Sequence, residues 1–198
     1  MLKYLNTKMR MGFTLIEMLV AMTVFIVVIG SIIGLFISAI RSQSGALASQ
    51  KLLDDTSYVM EYMSRAIRMA QKDDGSGTPC ITSGLNYANA DKNGNPIGDT
   101  WAIRFKNMYG GCQTFYLDST NGQLKEYRTD KNGAVEISDL PLTSSGLQVF
   151  PLQFIVSGDT PGDNLQPKVT ISLTIKPKTT AKPEIKIQTT LSQRNLDL

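Results

Sequence analysis

The chain has 198 residues, enough for a membrane segment plus one domain of ordinary size and too few for two globular domains. Lys and Arg number 20 against 17 Asp and Glu; three of the basic residues, Lys3, Lys8 and Arg10, stand in the first twelve positions, so the remainder is balanced and makes no global electrostatic case for nucleic acid. Histidine is absent and cysteine occurs only at Cys80 and Cys112, which excludes imidazole-based catalysis and the Cys/His spacings of structural zinc sites.

From Phe13 to Ile40 the only ionisable side chain is Glu17. Such a run exceeds the ~20 apolar residues a helix needs to cross the hydrocarbon layer, and is too long for the apolar region of an ordinary secretory signal. Lys3, Lys8 and Arg10 before it, with no acid among them, keep that side in the cytoplasm and send the rest of the chain across. An acidic side chain inside a span costs about 2.5–3.5 kcal/mol and needs a partner. No basic side chain follows Glu17 within the run, so a cation must come from elsewhere, unless the carboxylate lies at the membrane edge, protonated or reaching interfacial water.

Gly12-Phe13-Thr14-Leu15-Ile16-Glu17 resembles the processing and assembly signature of type IV prepilins and type II secretion pseudopilins. The resemblance implies cleavage between Gly12 and Phe13 by a prepilin peptidase, which also methylates the new amine of Phe13 to give N-methylphenylalanine. The physics agrees. Cutting there creates a cationic amine four residues before Glu17, and when subunits stack, the amine of one meets the Glu17 carboxylate of another, each offsetting the other's burial. Gly30 and Gly34, one turn apart, with Ser31 and Ser38 beside them, provide a slope on which helices approach closely.

Helical periodicity continues from Arg41 to about Gln71, with Leu52, Leu53, Thr56, Val59, Met60, Met63, Ala66, Ile67 and Ala70 on one stripe. A single helix from Phe13 would be roughly 90 Å long. Asp73-Asp74-Gly75-Ser76-Gly77-Thr78-Pro79 breaks it, and residues 73–100 read as a long irregular connection. Two cysteines in an exported domain favour a Cys80–Cys112 disulfide over two separate thiols. Asp91-Lys92-Asn93-Gly94-Asn95 tempts a calcium reading, since some pseudopilins bind calcium in loops, but its glycine comes too early for an EF-hand and no bidentate acid follows; it reads as a turn, with no metal ligand set.

Strand signals follow at Trp101, Ile103 and Phe105, at Phe115 and Leu117, and at Leu124 and Tyr127, with Asn121-Gly122 and Asn132-Gly133 as hairpin turns. Leu147 to Val156 is another strand in which Pro151 marks an edge or a bend. Val169, Ile171, Leu173 and Ile175 alternate with polar residues, as do Ile185, Ile187, Thr189 and Leu191, predicting a closing hairpin with one buried face. Lys176, Lys178, Lys182 and Lys186 near that connection lack interleaved aromatics and read as a solvated hairpin, not a nucleic-acid surface.

These readings give an α+β fold of the pilin-like lollipop kind, one long N-terminal helix on an antiparallel β head. The parts are a leader over 1–12, a transmembrane and assembly half of the helix over 13–40, an amphipathic half over 41–72 and a head over 73–198. No cofactor and no catalytic residue is expected. The resemblance implies a structural subunit of a type IV pilus or type II secretion filament. Its partners would be the peptidase, other pilin or pseudopilin subunits and an inner-membrane assembly platform with its ATPase. Its location would be the bacterial inner membrane, then a pilus or periplasmic pseudopilus. The cysteines lie away from the C-terminus, and the end on Ser192-Gln193-Arg194-Asn195-Leu196 looks like minor pilins of the PilW kind and pseudopilin J. The rival is a single-pass anchored enzyme or ligand-binding domain with an uncut N-terminus, in which Asp91, Asp99, Asp118 or Asp130 would have to be paired by folding.

Overall fold

A computed structural model of the chain describes residues 12–160, 162, 165–178 and 183–194. Contacts divide the chain into two compact units, one up to Leu47 and one from Ala48. In the first, every described residue from Gly12 to Leu47 is exposed, and all but the first three belong to α1, Leu15–Arg68. The helix contains a window of mean hydropathy 2.8, long and apolar enough to cross a membrane. Two of its hydroxyls are spent locally: Thr23 Oγ1 donates to the Val20 carbonyl at 2.8 Å and Ser31 Oγ to that of Val27 at 2.9 Å. Such bonds remove the cost of a bare hydroxyl in hydrocarbon.

In the second unit the pattern of α1 changes. Leu52, Thr56, Val59, Met60, Met63 and Ile67 are buried at three- and four-residue steps, the single stripe that an amphipathic helix presents to a core. The one polar member, Thr56, donates to the Leu52 carbonyl at 2.6 Å. Leu53 is a correction to the sequence pattern, being exposed, since it stands one position off the stripe.

The strands are β1 (Tyr87–Ala88), β2 (Ala102–Lys106), β3 (Cys112–Asp118), β4 (Gln123–Thr129), β5 (Val135–Pro141), β6 (Leu147–Ser157), β7 (Lys168–Pro177) and β8 (Ile185–Ser192). They form two antiparallel sheets of consecutive neighbours, β1 to β5 and β6 to β8, where the sequence suggests a single meander. The sheets meet through backbone bonds from Val149 N–H to Gly122 O at 2.8 Å and from Phe154 N–H to Thr100 O at 2.7 Å. Both contribute to one core with the helix stripe, in which the Phe105 and Phe115 rings lie 5.8 Å apart and Tyr62 meets Phe115 edge-on at 6.0 Å.

β7 and β8 pair without a register shift from Lys168 and Ser192 to Ile175 and Ile185, and Val169, Ile171, Leu173 and Ile175 are all buried. β6 is the outer strand of its sheet, and its pairing breaks between Val149 and Leu152, across Pro151, whose ring leaves no N–H for a ladder. β5 has no counterpart in the sequence reading. It is an exposed edge strand with two register shifts against β4, a Pro at its end and Asp139 at φ 55°, so it carries little alternation to read.

One turn design recurs three times. Asp91, Asn107 and Asp130 each offer a side-chain oxygen to the N–H groups two and four residues on, with bonds of 2.8–3.0 Å, and Gly94, Gly110 and Gly133 supply the positive φ that follows. Gly111 is needed for a different reason. A Cβ there would fall 2.0 Å from the Thr129 carbonyl oxygen, on backbone that cannot turn aside.

The helix is expected to reach about Gln71 but ends at Arg68, because groups from distant segments take its last carbonyls. Tyr87 Oη donates to Ile67 O at 2.7 Å, Arg194 N–H to Arg68 O at 2.9 Å, and the buried Gln193 Nε2 to Ala70 O at 2.9 Å. Gln71 has already left the helix and bonds through its N–H to Lys106 O at 2.9 Å. Gln193 Nε2 also holds Asn86 Oδ1 at 3.0 Å.

Gln193→Leu removes the donor from two acceptors, and each left unpaired costs about 1–3 kcal/mol, read as a lowered denaturant midpoint of the full chain in detergent. Gly111→Ala lowers that midpoint by an amount equivalent to about 2–4 kcal/mol, because the strand pair must part to admit a methyl group.

Candidate functional site

Gly12 and Phe13 precede the first turn of α1 in non-helical backbone, and Phe13 is 78% exposed. Thr14 closes that turn: Glu17 N–H donates to Thr14 Oγ1 at 3.3 Å and to its carbonyl at 3.1 Å, and Met18 N–H to the same carbonyl at 3.2 Å. Thr14 is therefore the cap and Glu17 the third helical residue, the spacing of a Thr-x-x-Glu capping box. The acid also faces the positive end of the helix dipole. The peptide bond between Gly12 and Phe13 thus lies outside the helical ladder, and the motif that sequence reading treats as an assembly signature also starts the helix. Thr-x-x-Glu ahead of an apolar run is the sequence signal for this cap. Lys3, Lys8 and Arg10 lie outside the described residues.

Gly30 and Gly34 are open on their Cβ side, with no atom within 4 Å. Nothing else in the described chain requires their smallness for space.

In the second unit Cys80 and Cys112 are disulfide-bonded, with Cα atoms 5.3 Å apart, tying the segment after α1 to the start of β3. Beside the bond Asp73, fully buried, accepts N–H groups from Cys80 at 2.7 Å, Ile81 at 3.2 Å and Gly75 at 3.1 Å, with Lys106 Nζ 3.6 Å away. Burial pushes the Asp73 carboxyl up, but these N–H groups and the Lys106 ammonium outweigh it and hold it below the usual range. The connection over 73–100, expected to be irregular, thereby acquires β1 and an isolated bridge between Ala90 and Pro96.

Among the described residues no three acids are gathered as for a metal ion, and Asp91, Asp118 and Asp130 are each engaged in their own turns. Asp91 gives Oδ1 to Asn93 and Asn95 N–H and Oδ2 to Asn95 Nδ2, so the segment that tempts a calcium reading is the same turn as at Asp130. Asp118 accepts Thr120 N–H and pairs with Lys125 at 2.7 Å, and that ammonium holds its carboxyl at about 2. Glu126, which sequence reading passed over, is fully buried and accepts Tyr62 Oη and Gln113 Nε2, both at 2.8 Å. Burial and this carboxylate push the Tyr62 phenol up to about 12. A lone Glu in a strand gives no sequence signal of that role. Of the lysines near the final connection, Lys186 pairs with Glu184 at 3.2 Å, and Lys182 lies outside the described residues.

No family model, characterised protein or solved structure matches the chain.

A carboxyl whose folded pKa is lowered contributes stability above its unfolded value, about 3.9, and loses it as pH falls through the folded value. The denaturant midpoint of Asp73→Asn therefore lies well below that of the unaltered chain at neutral pH, and the gap narrows as the solution is acidified below about pH 4.

Proposed function

We propose that the chain is a non-enzymatic, pilin-like structural subunit, processed between Gly12 and Phe13 and assembled through its N-terminal helix. The observation that carries this reading is Gly12-Phe13-Thr14-Leu15-Ile16-Glu17 placed at the start of an apolar helix, with its one acid three residues inside the Thr14 cap. The chemistry supports it. A new amine at Phe13 provides the cation that the span lacks, and methylation preserves that charge. Pairing with Glu17 of a neighbouring subunit then offsets two burial costs with one contact and fixes axial register.

The subunit is inserted in the bacterial inner membrane with its basic leader in the cytoplasm, then drawn into a type IV pilus or a type II secretion pseudopilus. A cytoplasmic ATPase does the work through a membrane platform, since the chain has no phosphate-binding glycine loop.

The test is the intact mass and N-terminal sequence of the protein from native membranes. A chain beginning at Phe13, with or without a methyl group, is expected; one beginning at Met1 would overturn the proposal in favour of an uncut anchor. Gly12→Leu blocks the cut, whereas Glu17→Ala leaves the cut intact and lowers incorporation into the filament fraction.

A further inference from the structure

Three of the outer strands are poor partners for a further strand. β1 is two residues long, β5 is bulged and ends on a proline, and β6 is broken at Pro151 and bonded through Val149 and Phe154 to the other sheet. β8 differs. It is an outer strand with neither glycine nor proline between Ile185 and Ser192, and its pairing with β7 runs without a shift.

The register fixes where its backbone groups point. Gln193 N–H donates to Pro167 O at 3.2 Å, and the alternation of an antiparallel ladder then turns the N–H and C=O of Lys186, Gln188, Thr190 and Ser192 away from β7. The Thr170 and Thr190 hydroxyls, 2.9 Å apart, agree with this, since side chains stand closest in the non-hydrogen-bonded pairs. Among the described residues no hydrogen bond reaches these outward groups. On the core face Ile185 and Ile187 remain only partly buried, whereas Ile175 and Leu173 opposite them on β7 are buried.

We propose that the β8 edge pairs with β8 of a second copy of the chain, antiparallel about a two-fold axis through Thr189. Charge and face select this register. It opposes Lys186 to Ser192 and Gln188 to Thr190, all with outward backbone groups, and on the core face it sets Ile187 against Leu191. The ladder ends there, because Arg194 N–H is already taken by Arg68 O. Past its ends the exposed Arg194 side chain of each copy faces the exposed Glu184 of the other, which gives up only a surface pair with Lys186. A slip of two residues sets Lys186 against Arg194 in one direction and loses the Glu184–Arg194 pair in the other, while a slip of one turns Ile187 to the wrong face. The two copies of Lys186 stand about 20 Å apart, so the charge that discourages parallel pairing does not oppose this one. A seam of this length supports a reversible dimer, not an obligate one. The pairing concerns the second unit alone and does not rest on the N-terminal processing proposed above.

The experiment is sedimentation equilibrium of the full chain in density-matched detergent micelles, where a concentration-dependent dimer is expected. Gln188→Pro removes an N–H that β7 does not use, so it keeps the thermal midpoint and raises the dimer dissociation constant by about tenfold or more. Ser192→Lys, at an exposed position, sets a lysine against Lys186 and also weakens the dimer; it decides where Gln188→Pro does not fold. Copper phenanthroline in air is expected to cross-link Thr189→Cys chains to one another, and Lys186→Cys chains to Ser192→Cys chains but neither of these to itself. A chain monomeric at every concentration, a dimer that the folded variants leave unchanged, as one held by the apolar helix would be, or cross-links that ignore this register would overturn the proposal.

Discussion

The second unit depends on how the last turn of α1 is finished. Helix termini leave carbonyls without partners, and in most helices a glycine or water takes them. Here the donors are Tyr87 Oη, the Gln193 amide and Arg194 N–H, from residues up to 126 positions away in sequence. The segment after the helix, the strand that follows it and the end of β8 are thereby fixed to one point. Asp159 reinforces that point by accepting Asn86 N–H at 2.9 Å and Tyr87 N–H at 2.8 Å, which orients the tyrosine toward the helix end. Burying these groups is favourable only because nearly all are satisfied together; the exception, Gln193 Oε1, is a buried atom without a hydrogen bond among the described residues.

The same helix meets opposite demands along its length. Through Ile40 its surface is exposed and, apart from Glu17 and a few hydroxyls, apolar, suited to hydrocarbon, where hydroxyls must turn back on the backbone and a carboxylate must find a cation. From Leu52 one stripe alone is buried, and the rest is mostly polar, with Leu53 and Tyr58 exposed among it. Thr14 and Glu17 carry two duties within this scheme. As cap and third residue they start the helix, and in the proposed assembly the same glutamate receives the amine of another subunit.

Legibility in the sequence followed burial. β7 could be read because Val169, Ile171, Leu173 and Ile175 are all buried, so their alternation with Thr170, Ser172 and Thr174 stands out. The same holds for the helix stripe, with Leu53 as the residue that composition could not separate from it. β5 could not be read, because an exposed and bulged edge imposes no period on its side chains. The split into two sheets was equally hidden, since β5 and β6 follow one another in the chain without pairing, and residue type carries no mark of which strands pair. The helix end was overrun by three residues for the same reason, as its terminating donors lie far along the chain. The Thr-x-x-Glu spacing of the cap stands in the sequence ahead of the apolar run, whereas the bond from Glu17 N–H to Thr14 Oγ1 is a matter of backbone geometry.

The distribution of commitments among the polar groups separates scaffold from site. Asp91, Asp118 and Asp130 close their own turns, Asp73 holds three N–H groups beside the disulfide, and Glu126 binds Tyr62 and Gln113. A carboxylate so engaged is held in place by two or more donors at once, which fixes it within the scaffold. Asp139 fits the pattern even at its strained φ of 55°, since Lys92 Nζ at 2.9 Å and the Tyr116 hydroxyl both hold it against the Asp91 turn.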